Sequence, residues 1–363
     1  LWEQLKQSKK PVAKVKGQPK SFIEMFNAYN STLNNSIVKL KERPKHIQGR
    51  ENEIDLVYAI LERPETPVAL LLGHAGVGKT ALVEELGKQI NSGDYQTKLN
   101  NEYLLLSLRL GALSALNRSQ LQSSLANILD RLYDMERFAQ RAINNKNLRI
   151  VLFIDEVHTV VSVFGENSKI GGDLLKESLA RADKFVKVIA ATTNDEYESY
   201  IAQDKPLARR FKNVTINEVP QAVTHTILKN WLKKHSNSQV DLTEKVSDDM
   251  LWQIITANRI YREGFFEPAK SIDVLDTLLA MHKVTNKPID RDLLGNVLES
   301  QFNIDLNFNV DPKEVMKIIK SQILGQPVAI HTIKTTVERI AFQLYRNQST
   351  PRATILLPGT TGT

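Results

Sequence analysis

The sequence contains no cysteine, which excludes disulfides and thiolate metal sites and fits a reducing compartment. It also has no apolar run near the ~18–20 residues that a membrane-spanning helix requires, so no membrane partner is expected. No charged-then-apolar leader follows Leu1, and the expected location is cytoplasmic. Opening on Leu rather than Met, the sequence is expected to be a piece of a longer protein. Its seven histidines show no metal-ligand spacing and read as structural or surface residues, His74 least clearly because of where it sits. Neither a nucleophile elbow nor a metalloprotease motif is present, so hydrolysis of anything but a nucleotide is not supported. Charge of one sign is scarce: the net +7 is spread thinly, apart from Lys6, Lys9, Lys10, Lys14, Lys16 and Lys20. Interleaved with Pro, Gly and Gln, these make residues 1–20 a basic flexible linker. A nucleic-acid arm is disfavoured, because no aromatics or recognition motif accompany the lysines.

What is present is enough for two domains: 363 residues, 42% hydrophobic and 25% charged. Apolar positions Phe22, Phe26, Tyr29, Leu33, Ile37 and Leu40 recur at spacings of three and four, which predicts a helical lead-in over 21–45. Short apolar runs then alternate with amphipathic stretches, the pattern of an α/β domain whose parallel sheet is flanked by helices. Five strands are predicted, at Val68–Leu72, Tyr103–Leu108, Ile150–Ile154, Val186–Ala191 and Val214–Ile216. The domain spans 46–219. Strand signals stop at Pro220, and a small all-helical domain is expected over 220–310.

Gly73-His74-Ala75-Gly76-Val77-Gly78-Lys79-Thr80 satisfies the phosphate-loop pattern G-x-x-x-x-G-K-[ST] in full. Glycines let consecutive backbone N–H groups face phosphate oxygens, and the helix that opens at Thr80 and Ala81 adds its positive end. Lys79 is expected on the β- and γ-phosphates of ATP, and the Thr80 hydroxyl on Mg. Such a loop needs a second, acidic strand, and Val151–Ile154 ending in Asp155 and Glu156 supplies one. Asp155 would orient the metal shell, and Glu156 would act as general base on the attacking water. Thr193 and Asn194 follow the next strand, where a polar side chain either holds that water or merely turns the chain. Arg209 and Arg210 read by themselves as a surface pair, although an arginine can also neutralise γ-phosphate charge.

Together these residues resemble the first module of the Clp family of AAA+ protein unfoldases and disaggregases. The likeness is carried by Ile47-Gln48-Gly49-Arg50, by Gly76–Ala81, by Ile154-Asp155-Glu156-Val157-His158-Thr159, by Gly171–Lys176 with Leu179-Ala180-Arg181, by Ala191–Tyr197, by Asp204–Phe211 and by Pro268–Asp276. It implies an AAA+ fold, with Ile47 in the segment closing over adenine and Lys270 in the motif of the lid helix. It places the sensor at Thr193, with Asn194 the position a wider AAA+ reading would choose. It reverses the reading of Arg209 and Arg210, which become fingers acting on ATP in the neighbouring subunit of a homohexameric ring. It also implies a polypeptide substrate and names no protease partner. An echo of Ile47–Arg50 at Ile323–Gln326, and of Val68–Gly73 at Ala353–Gly359, makes 311–363 the expected start of a second, truncated module. One departure matters. Gly111–Ser119, where the family carries an aromatic pore loop, has no aromatic, which leaves room for a ring that assembles without threading substrate itself.

Overall fold

The computed structural model describes residues 1–7, 21–40, 47–92, 101–113, 116–162, 170–180, 186–236, 241–304, 312–323, 325–342 and 354–356. The chain divides into two compact units, Leu1–Asn217 and Glu218–Thr363.

The first unit is built on a sheet of six strands: β1 (Ile37–Lys39), β2 (Val68–Leu72), β3 (Glu102–Leu108), β4 (Leu148–Ile154), β5 (Lys187–Thr192) and β6 (Lys212–Thr215). Their spatial order is β1-β3-β4-β5-β2-β6, with β1 antiparallel to β3 and every other pairing parallel. Strands covered on both faces must be apolar along their length. Accordingly, all five residues of β2 are buried, as is β4 from Ile150 to Ile154. Register aligns the carboxyl ends: Leu72 stands opposite Thr192, and Leu108 opposite Ile154. The segments leaving these strand ends therefore emerge along one edge of the sheet, where open α/β sheets bind their ligands.

The five predicted strands are present, and β1 is the addition. The expected helical lead-in begins as read, because Ser21 caps the helix Phe22–Thr32 by accepting the Glu24 amide at 3.2 Å. It ends early because Asn34 and Asn35 take left-handed backbone angles, φ 51° and 54°, which asparagine tolerates better than most residues. Buried Asn30 then fixes the reversal, bonding both the N–H and the carbonyl of Ile37 at 2.8 Å. The first residues differ from a flexible linker as well. Trp2–Gln7 is helical, Leu5 is fully buried, and Trp2 meets Phe22 and Phe26 edge-on at 6.0 and 5.4 Å. Lys9, Lys10, Lys14, Lys16 and Lys20 lie outside the described residues.

In the second unit the helices Gln221–His235, Asp248–Tyr261, Ala269–Thr285 and Arg291–Phe302 surround a core that includes Leu228, Leu232, Ile254, Leu275 and Leu294. Helices Pro312–Gln322 and Pro327–Phe342 come next, and the expected second phosphate loop, 359–363, lies outside the described residues. No described helix is long and apolar enough to cross a membrane.

Candidate nucleotide site

β2 delivers the chain into the loop Gly73–Gly78, and the helix Lys79–Ser92 leaves it. The loop is closed against the neighbouring strand. Ile216 N–H donates to the Leu72 carbonyl at 2.6 Å, and a Cβ on Gly73 would stand 2.3 Å from the Ile216 carbonyl oxygen. Gly76 and Gly78 take φ of 87° and 97°, which side chains resist. The departing helix buries Leu82, Leu86 and Ile90 on one face, which fixes the direction of its amino end.

Lys79 Nζ donates to the carbonyls of Gly73 at 2.7 Å and His74 at 3.1 Å, so the ammonium is folded back over its own loop. Burial pulls its pKa below the ordinary lysine value, while Asp155, Glu196 and Glu156 push the other way. An anion at the loop would meet a cation short of solvation. The Thr80 hydroxyl donates to Asp155 Oδ2 at 2.7 Å, joining the two predicted metal residues across β2 and β4. A hydroxyl and a carboxylate are hard oxygen donors, the set that suits Mg rather than a thiophilic or imidazole-seeking metal. A cleft of about 460 Å³ opens beside Thr80, Asp155 and Glu156, and its far wall includes Val38, Lys39 and Leu40 around β1. The unforeseen strand thus borders the site.

Glu156 occupies the left-handed region at φ 53°, and its side chain is 69% exposed at the strand's end. For a residue with a Cβ that backbone costs on the order of 1–3 kcal/mol, a strain that collects at functional positions. Thr193 caps the short helix Asn194–Glu196, accepting the Glu196 amide at 3.3 Å, so the turn and the candidate sensor are one structure. Asn194 opens that helix, half-exposed. Arg209 is exposed and Arg210 half-buried, and neither guanidinium has a hydrogen-bond or ion-pair partner among the described residues. Ile47 N–H is held by Glu85 Oε2 at 3.1 Å, from the helix that succeeds the phosphate loop. Lys270 lies in the second unit. Its ammonium is buried there, donating to the Phe265 carbonyl at 3.1 Å and pairing with Glu218 at 2.9 Å.

Two participants escape a reading by residue type. Arg50, 6% exposed, donates to the carbonyls of Val77 at 2.9 Å and Asn217 at 2.7 Å while pairing with Glu53 at 3.0 Å. It ties the phosphate loop to the chain just beyond β6. His158, read as structural, stands between Glu156 and Glu196. Its signal was position, two residues beyond the expected base.

A parallel sheet presenting a phosphate loop, an acidic strand end and a capped polar turn along one edge defines an AAA-type ATPase domain. Residues 46–181 match the family model described as AAA ATPase domain. The chain is 33% identical over 287 residues to chaperone protein ClpB 1 of Nostoc sp., covering 77% of this chain and 30% of that protein. It is 34% identical over 249 residues to the chloroplastic chaperone ClpB3 of Arabidopsis thaliana, covering 67% and 24%. The chain thus carries an AAA ATPase domain and is similar over most of its length to ClpB chaperones. Among solved structures, the Hsp104–ADP complex of S. cerevisiae superposes with a TM-score of 0.67 at 24% identity, covering 85% of this chain and 52% of that one. The extended Hsp104–casein complex of the same organism superposes with a TM-score of 0.61, also at 24% identity, covering 86% and 53%. These two likenesses speak for the fold. The chain spans under a third of the ClpB relatives' length.

Proposed function

We propose that the first unit binds Mg·ATP at Gly73–Thr80 and hydrolyses it, as one module of a Clp-like machine that remodels polypeptides. The observation that carries this is the Thr80–Asp155 contact at 2.7 Å beneath the folded-back Lys79, with Glu156 at the same strand end. Lys79 would exchange two loop carbonyls for β- and γ-phosphate oxygens. Thr80 and Asp155 would hold Mg, which when bound neutralises charge on the phosphates. Glu156 would orient and deprotonate the attacking water, with Thr193 as sensor and Asn194 beside it. Ile47 and Ala81 border the nucleotide in this reading. Residues 311–363 begin a second module.

Arg209 and Arg210 have no partner in their own chain among the described residues, which supports a role across a subunit interface in a homohexameric ring. The relatives are chaperones and one solved neighbour is a complex with casein, which supports a polypeptide substrate over a ring that only assembles. The test is complementation. An Arg209→Ala/Arg210→Ala double variant and Lys79→Ala are each expected to be nearly inactive alone. Mixed, they are expected to regain ATPase activity, because an intact phosphate loop then meets intact arginines. Activity that is unaffected in the arginine variant, and flat with protein concentration, would show that the site is complete within one chain.

A further inference from the structure

Among the described residues, the carboxylate of Glu156 meets one polar side chain, and that is His158, whose Nε2 stands 3.9 Å from Oε2. A general base must be held where its water will be. This one projects from a strained turn, largely into solvent, so its orientation rests on that single neighbour.

The neighbour itself is firmly held. His158 Nδ1 lies 3.0 Å from Glu196 Oε2 and 3.1 Å from the Thr192 hydroxyl. Its ring stacks on Tyr200, centroids 5.9 Å apart and planes inclined by 27°. Glu196 is fixed in turn by accepting the Thr193 N–H at 2.9 Å and the Thr192 hydroxyl at 3.0 Å. Burial raises the Glu196 pKa, but the hydrogen bonds from Thr193 and Thr192 and the charge of His158 outweigh it, leaving a net lowering. Glu196 is thus a settled carboxylate. Glu156, His158 and Glu196 can each bring one ligand atom within 4.8 Å of the others, the spacing of a metal site. The ring argues against that use. The nitrogen nearest Glu196 is Nδ1 and the one nearest Glu156 is Nε2, whereas an ion would take one lone pair from one nitrogen. Facing a carboxylate on each side, the ring can donate to both only as the imidazolium, and the Thr159 hydroxyl, 3.5 Å from Nε2, shares the Glu156 side.

We propose that Glu196 and His158 are positioning residues for the general base: Glu196 fixes the imidazole through Nδ1, and Nε2 holds the carboxylate of Glu156 toward the attacking water. This rests on the ATPase reading above and deepens it. The pair also links the base to the sensor turn, since Glu196 and Thr193 cap each other across the same short helix.

The test compares His158→Phe, which keeps the stack on Tyr200 and loses both nitrogens, with Glu196→Gln, which keeps an acceptor for Thr193 and loses the charge. Each is expected to lower kcat roughly ten- to a hundredfold with KM for ATP held within about twofold. The double variant should fall no further than the worse single. In a Glu156→Gln background neither should lower the residual rate. A kcat near wild type, or a loss of the same size without Glu156, would overturn the proposal. So would a KM that rises in step with the loss. A second readout needs no turnover. With nitrogen-15-labelled histidine, Glu156→Gln should shift the Nε2 resonance of His158, and Glu196→Gln that of Nδ1. If wild type fails to hydrolyse ATP, the functional reading fails. The imidazole signals then decide the bridge by themselves, and an Nε2 that ignores Glu156→Gln refutes it.

Discussion

Replacing Arg50 by alanine isolates how much of the phosphate loop's shape is imposed from outside the loop. The guanidinium makes three contacts, and they are not equal. Val77 is 1% exposed, so its carbonyl would lose a charge-assisted hydrogen bond with no water to replace it. That loss costs about 1.5–3 kcal/mol. Asn217 is exposed, so its carbonyl can turn to solvent and adds little. Glu53 is 23% exposed, and its pairing with Arg50 is worth at most about 1 kcal/mol. The expected sum is about 2–4 kcal/mol, or roughly 5–15 °C in the melting of the first unit. Nucleotide affinity should drop as well, about tenfold for each 1.4 kcal/mol spent re-ordering the loop. Lysine cannot fork between two carbonyls and a carboxylate, so Arg50→Lys should recover less than half of the stability. Urea unfolding followed by circular dichroism, with titration of a fluorescent ATP analogue, reads both effects. If Arg50→Ala unfolds within about 0.5 kcal/mol of wild type and binds nucleotide equally well, the clamp contributes nothing and the loop holds its own shape.

Gly73→Ala should be worse for binding than its single added methyl suggests, because the Cβ would meet the Ile216 carbonyl oxygen at 2.3 Å. Nucleotide titration is expected to show a loss of at least roughly tenfold, from strand β6 being pushed off the loop; binding at wild-type affinity would contradict that. Glu136 concerns stability alone. It is 3% exposed and accepts the Ile150 N–H at 2.6 Å, and burial pushes its pKa from 4.5 up to about 7. Between those values the folded chain keeps a proton that the unfolded chain releases, so stability falls as pH rises across that window and levels off above it. Glu136→Gln should flatten that slope and stabilise the first unit by about 1–3 kcal/mol at pH 8, measured as urea midpoints at pH 5 and 8. Equal slopes in the two proteins would refute the assignment.

What was legible in the sequence was whatever is local. A strand buried on both faces must be a run such as Val68–Leu72, and a phosphate loop must place glycines and Lys79 at fixed offsets, so both announced themselves. Strand β1 did not. It is three residues long, its pairing with β3 joins Ile37 to Leu108, and Leu33, Ile37 and Leu40 fit a helical period as well as they fit a turn followed by a strand. The asparagines at 34 and 35 were the available signal, since they supplied the left-handed turn that stopped the helix. The bridge from Glu196 through His158 to Glu156 was equally hidden. It forms only because β4 and β5 pair in parallel with Ile154 opposite Ala190, which brings two distant turns side by side. Residue type said nothing of Arg50's burial, or of Lys270 being held by Glu218.

The central claim is that Glu156 is the base of a working ATPase site whose nucleotide grip lies elsewhere. Steady-state hydrolysis and equilibrium binding of Mg·ATP, measured side by side for wild type and Glu156→Gln, test it most directly. Affinity is predicted to stay within about twofold while turnover falls by roughly 10²–10⁴, the contribution of a general base. Hydrolysis that survives Glu156→Gln, or binding that disappears with it, would contradict the claim.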